Sequence, residues 1–296
     1  MPDLSVAVVI ASAGRPELLA EAITTCRAQA GIAFTGVVSV PDPASLPDDR
    51  AVLDGWQVVS GARGLAAQRN AALSALRDHD LVAFFDDDAV PGPDYLARAA
   101  AFLARHPDVQ GITGRVLADG KLTGEIDRDV ATSTVARACA DPPTGRWRRT
   151  RELYGCNFVV RFGSARQVRF DERLPLYSWL EDHDFARRLR RLGPLAEVDD
   201  CVLVHRAAAS GGRQAHERLG YSQVMNPVYL HRKGSFPLWL AAQQIFRPVA
   251  KNIALATAGP AADWRRERLR GNALAARDAL RGRITPERIV ELRGSS

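Results

Sequence analysis

The chain has 296 residues, 46% of them hydrophobic and 25% charged, with a net charge of +6. That is enough apolar material for one large or two small domains with a proper core, and it excludes a disordered or fibrous chain. The four cysteines, Cys26, Cys139, Cys156 and Cys201, form no Cys-x-x-Cys pair, which argues against a zinc knuckle or disulfide framework and makes a reduced, cytoplasmic protein the expectation.

No basic stretch followed by an apolar one opens the chain, so no signal peptide is expected. No apolar run is long enough to span a bilayer. The charge is uneven. Residues 1–205 carry 24 Lys and Arg against 28 Asp and Glu, whereas residues 206–296 carry 16 against 6. A slightly acidic body precedes a strongly basic tail, of the kind that meets nucleic acid, anionic lipid or phosphorylated substrates.

Leu4 to Ala11 reads as a first strand, and Ser12-Ala13-Gly14 turns the chain. Pro16 suits a first helical position, and Leu18, Leu19, Ala22 and Ile23 recur at helical spacing. Phe34 to Val40 is a second strand, Pro41 to Asp49 a loop, and Trp56 to Ser60 a third strand. A helix over Leu65 to Leu76 follows. Leu81-Val82-Ala83-Phe84-Phe85 then runs unbroken into Asp86-Asp87-Asp88, a buried parallel strand with three acids at its carboxyl end. At roughly 5 Å and an effective dielectric near 20, each ionised pair costs about 3 kcal/mol. Water at an exposed turn can offset this, and a divalent cation does so better.

Strand and helix alternate to this point, as in a doubly wound sheet. A helix is expected from Pro93 to about His106 and a strand over Val109 to Val116. Leu117 to Arg151 is polar and weakly patterned and reads as a loop or flap. Gly155 to Arg161 is a strand. Between Ser178 and Gly193, Phe185, Leu189 and Leu192 share a helix face headed by acids and ended by arginines, in the order the helix dipole favours. Cys201 to His205 is one more strand. Phe236 to Ala258 is apolar, expected to break at Pro237 and Pro248, and fits either an interfacial amphipathic segment or core-packing helices.

In order and spacing these pieces resemble the GT-A glycosyltransferases of family 2, over roughly Leu4 to His205. VVIASAGRPELL is similar to the family's opening strand and turn, and Gly64 to Asn70 to its G-x-x-x-A-R-N element. Asp86-Asp87-Asp88 resembles its D-x-D signature, and Gly155 to Arg161 its acceptor-side strand. Phe170-Asp171-Glu172 and Glu181-Asp182-His183-Asp184-Phe185 resemble its F-D-E and E-D-x-D-F blocks. The implied fold is α/β, a GT-A (Rossmann-like), mostly parallel sheet with helices on both faces. Residues 1–205 would be the nucleotide-sugar-binding and catalytic domain, and residues 206–296 a basic helical extension.

The resemblance implies inverting transfer from a nucleotide-diphosphate sugar, a UDP-sugar by first expectation, to a glycan or polyprenyl-linked acceptor in cell-envelope or exopolysaccharide synthesis. The diphosphate leaving group calls for a Lewis acid, Mn²⁺ or Mg²⁺. Asp88 and His205 are the expected metal ligands; His205 ends a strand at the edge that Asp88 faces. Ala11, Arg15, Asp42, Arg69, Asp86 and Asp87 are expected at the donor, with Asp86 on the ribose, Asp42 on base or ribose, Arg69 on the base, and Asp87 open to the alternative of only fixing the turn. Asp182 is the expected general base, since a carboxylate suits removal of the acceptor proton. Arg213, in Ser210-Gly211-Gly212-Arg213, would pair phosphate oxygens from a closing loop. Tyr221 to Lys233 sets aromatics beside bases and suits a lipid-diphosphate acceptor. The basic tail favours a peripheral place on the inner face of the cytoplasmic membrane, with no nucleic acid expected. Two other readings compete: a sugar nucleotidyltransferase, for which Ser12-Ala13-Gly14-Arg15 supplies one glycine, and a nucleic-acid-binding scaffold, which leaves the aspartates without a role.

Overall fold

The computed structural model describes residues 4–208, 215–257 and 262–292. The chain divides into two compact units. The first comprises residues 1–63, 67–170 and 185–209, and the second residues 64–66, 171–184 and 210–296.

The first unit holds the sheet. β1 (Val6–Ala11) is buried for five of its six residues, which is why it reads as an apolar run rather than an alternation. α1 (Pro16–Arg27) opens on its proline and turns Leu19, Ala22, Ile23 and Cys26 inward. β2 (Phe34–Val40), β3 (Trp56–Ser60), α2 (Leu65–Ala75) and β4 (Leu81–Asp86) follow. β3, β2, β1 and β4 lie side by side and parallel. Then come β5 (Ala89–Pro91), α3 (Tyr95–Arg105), β6 (Gly111–Asp119), α4 (Gly120–Thr123), α5 (Arg128–Ala140), β7 (Trp147–Thr150), β8 (Asn157–Arg161), α6 (Phe162–Val168), α7 (Glu181–Leu189) and β9 (Leu195–His205). The strand order is β3-β2-β1-β4-β8-β6-β9-β5, with β7 also on β9. β8 runs antiparallel to β4 and β6, whereas β6 and β9 are parallel.

Residues 117–151, expected as a loop, carry the end of β6, two helices and β7. The reason is local. α5 buries only Ala131 and Val135, so its apolar period is faint. Its start is fixed instead by Asp127, whose side chain accepts from the N–H groups of Asp129 and Val130. β9 likewise begins at Leu195, six residues before the expected Cys201. Its acids hid the strand: Glu197 pairs with Arg148 of β7, and Asp200 accepts from the N–H groups of Thr144 and Gly145.

The second unit is built on α8 (His216–Arg232), α9 (Leu238–Leu255) and α10 (Ala262–Leu280). α8 and α10 touch backbone to backbone. A Cβ at Gly220 would lie 2.1 Å from the Arg268 carbonyl oxygen, and one at Gly271 2.1 Å from that of Glu217. α9 is continuous through Pro248, contrary to the expected break. An internal proline costs about 3 kcal/mol. Packing of Leu240 and Ala241 in one apolar cluster, and of Ile245 and Val249 against another, offsets it. No helix among the described residues is long and apolar enough to cross a membrane.

Candidate active site

Sheet register assembles the site. Ala11 pairs with Asp86 across β1 and β4. His205, the last residue of β9, pairs with Ala89 of β5 on one side and Asp119 of β6 on the other. Strands far apart in sequence thus deliver Asp88, Asp119 and His205 to one sheet edge. Ligand atoms of Asp86, Asp88 and His205 all lie within 4.8 Å of one another.

Asp88 is buried. Its Oδ2 accepts from the Ala208 N–H at 3.1 Å, while its Oδ1 has no hydrogen-bond partner among the described residues. The His205 Nε2 lies 3.4 Å from that oxygen. On the far side of the ring, Nδ1 meets Asp119 Oδ1 at 2.7 Å, and the Tyr154 hydroxyl donates to the other Asp119 oxygen. A carboxylate can only accept, so the Nδ1 hydrogen points at Asp119. In the neutral ring the Nε2 lone pair then faces an unpartnered carboxylate oxygen. Two lone pairs in a buried place call for a cation or a proton between them. This fits a divalent metal held by one imidazole and one carboxylate. Burial works to raise the Asp88 carboxyl, but His205 and Arg15 outweigh it and hold it at about 2. For His205 burial works downward, and Asp119 and Asp88 lift it above its ordinary value.

Asp87 takes the turn-fixing role of its two readings, and Arg69 sits otherwise than expected. Asp87 is buried; it accepts from Ser12 Oγ at 2.6 Å and from the Arg15 guanidinium. It fixes the turn and has no open face for a donor. Arg15 also reaches Asp88 Oδ2 at 3.6 Å, which places it at the edge of the cluster. Arg69 is 1% exposed, and its guanidinium stands over the rings of Phe84, Phe158 and Phe170. It donates to Asp86 Oδ1 at 3.0 Å and to the Gly155 carbonyl at 2.7 Å. A side chain so enclosed cannot stack on a base; it positions Asp86. The motif alone could not distinguish these, because an arginine on a helix is exposed or buried according to what packs over it.

Asp42 stands at the end of β2, where its two oxygens accept from Ser45 Oγ at 3.0 Å and from Arg63 at 2.9 Å. Arg213 lies outside the described residues. Asp182 is in the first turn of α7, where the His183 N–H donates to its Oδ1 at 2.9 Å. Its neighbour Asp184 is fully buried and takes Lys233 Nζ at 2.8 Å and Ser235 Oγ at 2.5 Å. Lys233 also bonds Asp171, which accepts from the Tyr229 hydroxyl as well. One lysine therefore ties Asp171 to Asp184, and with them the two acidic blocks, within the second unit. Burial works to raise Asp171, and the Lys233 and Tyr229 contacts bring it below the usual carboxylate range.

A family profile described as glycosyltransferase-like family 2 matches residues 2–141. Over that stretch the chain resembles a glycosyltransferase domain of the family 2 type. Its fold is similar to that of the mannosyltransferase PcManGT from Pyrobaculum calidifontis, solved with GDP-Man and Mn²⁺, at a TM-score of 0.52 and 18% identity over 96% of this chain and 84% of that one. It is also similar to residues 1–349 of TarS from S. aureus, at a TM-score of 0.51 and 12% identity over 94% and 92% of the two chains. At such identities the likeness is one of fold, and the fold is GT-A. No curated protein matches. The chain is a glycosyltransferase enzyme.

Two residues of this glycosyltransferase escaped the sequence reading, Asp119 and Tyr154. Asp119 falls in the stretch read as a loop, and Tyr154 between that stretch and the strand read from Gly155. The available signal was the strand end: Val116-Leu117-Ala118 runs into an acid, as the apolar residues before Asp86 do. A cavity of about 650 Å³ lies elsewhere, at the amino ends of β1 and β2, among Ser5, Val6, Phe34, Thr35 and alanines of α3. It has no carboxylate in its lining and is not the place of the chemistry.

Proposed function

We propose that this glycosyltransferase transfers a sugar, with inversion, from a nucleotide-diphosphate sugar to a glycan or lipid-linked acceptor in cell-envelope or exopolysaccharide assembly. The observation that carries the reading is the buried Asp88 Oδ1, without a hydrogen-bond partner among the described residues, facing His205 Nε2. Mn²⁺ or Mg²⁺ held by Asp88 and His205, when bound, neutralises charge on the departing diphosphate. The chain's own residues do the rest. Asp86, with one oxygen fixed by Arg69, offers the other to the ribose hydroxyls. Ala11, in register with Asp86, is proposed to line the nucleotide site. Arg15 adds positive charge at the cluster's edge, and Asp42 is the candidate for base or ribose. Arg213 is proposed to pair phosphate oxygens. Asp182 is the proposed general base: it takes the proton from the acceptor hydroxyl as that oxygen attacks the anomeric carbon and the bond to the diphosphate breaks. The uridine donor rests on the family resemblance; the mannosyltransferase solved with GDP-Man makes a guanosine donor the second to test. A basic carboxyl-terminal region suits an acceptor presented at the cytoplasmic face of a membrane.

The test is a screen of UDP- and GDP-sugars for nucleotide release, with Mn²⁺ and with chelator. Release that requires the metal and disappears in Asp88→Asn is expected. Release indifferent to both would remove the metal and Asp88 from the reading.

A further inference from the structure

α9 has two apolar faces, and only one has a partner among the described residues. Leu240, Ala241 and Asn252 are buried, and Ile245 and Val249 pack on the second unit's core. On another face Trp239, Phe246 and Ile253 follow one another seven residues apart, exposed by 60%, 73% and 58%. A step of seven turns a helix by only about 20°, so the three form one stripe along its length. Leu238, 67% exposed, and Ala242 extend the stripe to one side. Arg247 and Lys251, both exposed, lie along its other side. α9 contains no Asp or Glu.

Single exposed apolar residues are ordinary, but a continuous ridge of Trp, Phe, Leu and Ile is not. We propose that this ridge is a membrane-docking surface, and that its partner is a bilayer containing anionic phospholipid. The charge decides between occupants. A second copy of the chain set ridge to ridge would bring Arg247 and Lys251 against the same cations. An anionic headgroup layer receives them while the apolar side chains enter the acyl boundary and the long basic stems reach up to the phosphates. An interfacial helix needs both an apolar face and cations beside it, and α9 has both on one side. The inference does not depend on the donor, the metal or the base proposed above.

Deleting α9 would strip Leu240 and Ala241 from the core, so surface substitutions are the sound test. The full chain is floated with vesicles of phosphatidylcholine alone and of phosphatidylcholine with phosphatidylglycerol. It is expected to bind the anionic vesicles, less so as salt rises. Trp239→Gln, Phe246→Gln and Ile253→Gln together are expected to lower the partition roughly tenfold or more, since each removes exposed apolar area from the contact. Arg247→Gln with Lys251→Gln is expected to flatten the salt dependence. Far-ultraviolet circular dichroism and the melting temperature should stay unchanged in both variants, and donor hydrolysis in vesicle-free buffer should too. A full chain that ignores anionic vesicles, or a triple Gln variant that binds like the parent, overturns the proposal. So does sedimentation showing a dimer that the triple variant dissolves, because the ridge would then be covered by a second copy.

Discussion

Asp119→Asn isolates the geometry of the site from its ligands. Asp119 does not belong to the cluster of candidate metal ligands; it touches His205 Nδ1 at 2.7 Å and leaves Nε2 turned toward Asp88. Asparagine keeps the size and can still accept through its carbonyl oxygen, so the fold should persist. What goes is the charge that makes the imidazole a better donor and the single tautomer that the carboxylate enforces. Losing such a partner typically costs about 10- to 100-fold in metal affinity. That is about 1.4 to 2.7 kcal/mol. Tyr154→Phe should cost less, because the carboxylate keeps its contact with His205 and with the Lys121 N–H. The assay is a Mn²⁺ titration followed by the electron paramagnetic resonance signal of the free ion, with nucleoside diphosphate present. His205→Ala and a thermal melt run beside it. If His205→Ala loses the metal and Asp119→Asn binds it like wild type, the orienting role is refuted. If His205→Ala also binds normally, the ligand set itself is wrong.

Three further outcomes are expected. Asp182→Asn should keep donor affinity and lose roughly 10²- to 10⁴-fold in transfer rate, read as kcat against donor Kd; near wild-type turnover would remove Asp182 as the base. Arg69→Met should destabilise the protein by about 3 kcal/mol in urea, because it leaves Asp86 without the buried cation that holds it; a loss under about 1 kcal/mol would mean that the phenylalanine cage alone supports the strand. Asp171 has a folded pKa below its unfolded one, so its share of stability is present above about pH 4 and drains away as pH falls through the folded value. Urea midpoints at neutral pH and near pH 3 should differ, and Lys233→Met should narrow the gap; an unchanged gap would assign the acid sensitivity to other carboxylates.

The sequence by itself determined the parallel half of the sheet, because β1, β2 and β4 are short apolar runs bounded by turn residues, and burial on both faces permits little else. It also marked the acidic turn after Phe85, since three adjacent carboxylates are costly without a role. Those are local statements, and local pattern suffices for them. Which of the three aspartates is open is not local. Asp87 is closed by Ser12 and Arg15, 75 and 72 residues away, and only the pairing of β1 with β4 brings them together. Arg69 was legible as a cation and not as a buried one, because its cage comes from Phe84 of β4, Phe158 of β8 and Phe170 in the loop after α6. Asp119 was hidden for the same reason. Its meaning lies in a cross-strand register with His205, 86 residues on, and no period within either strand carries that information. The fate of Phe236 to Ala258 was likewise open, because hydropathy cannot tell an apolar residue turned to the core from one turned to solvent. Tertiary packing divided that helix, covering Leu240 and leaving Trp239 and Phe246 bare.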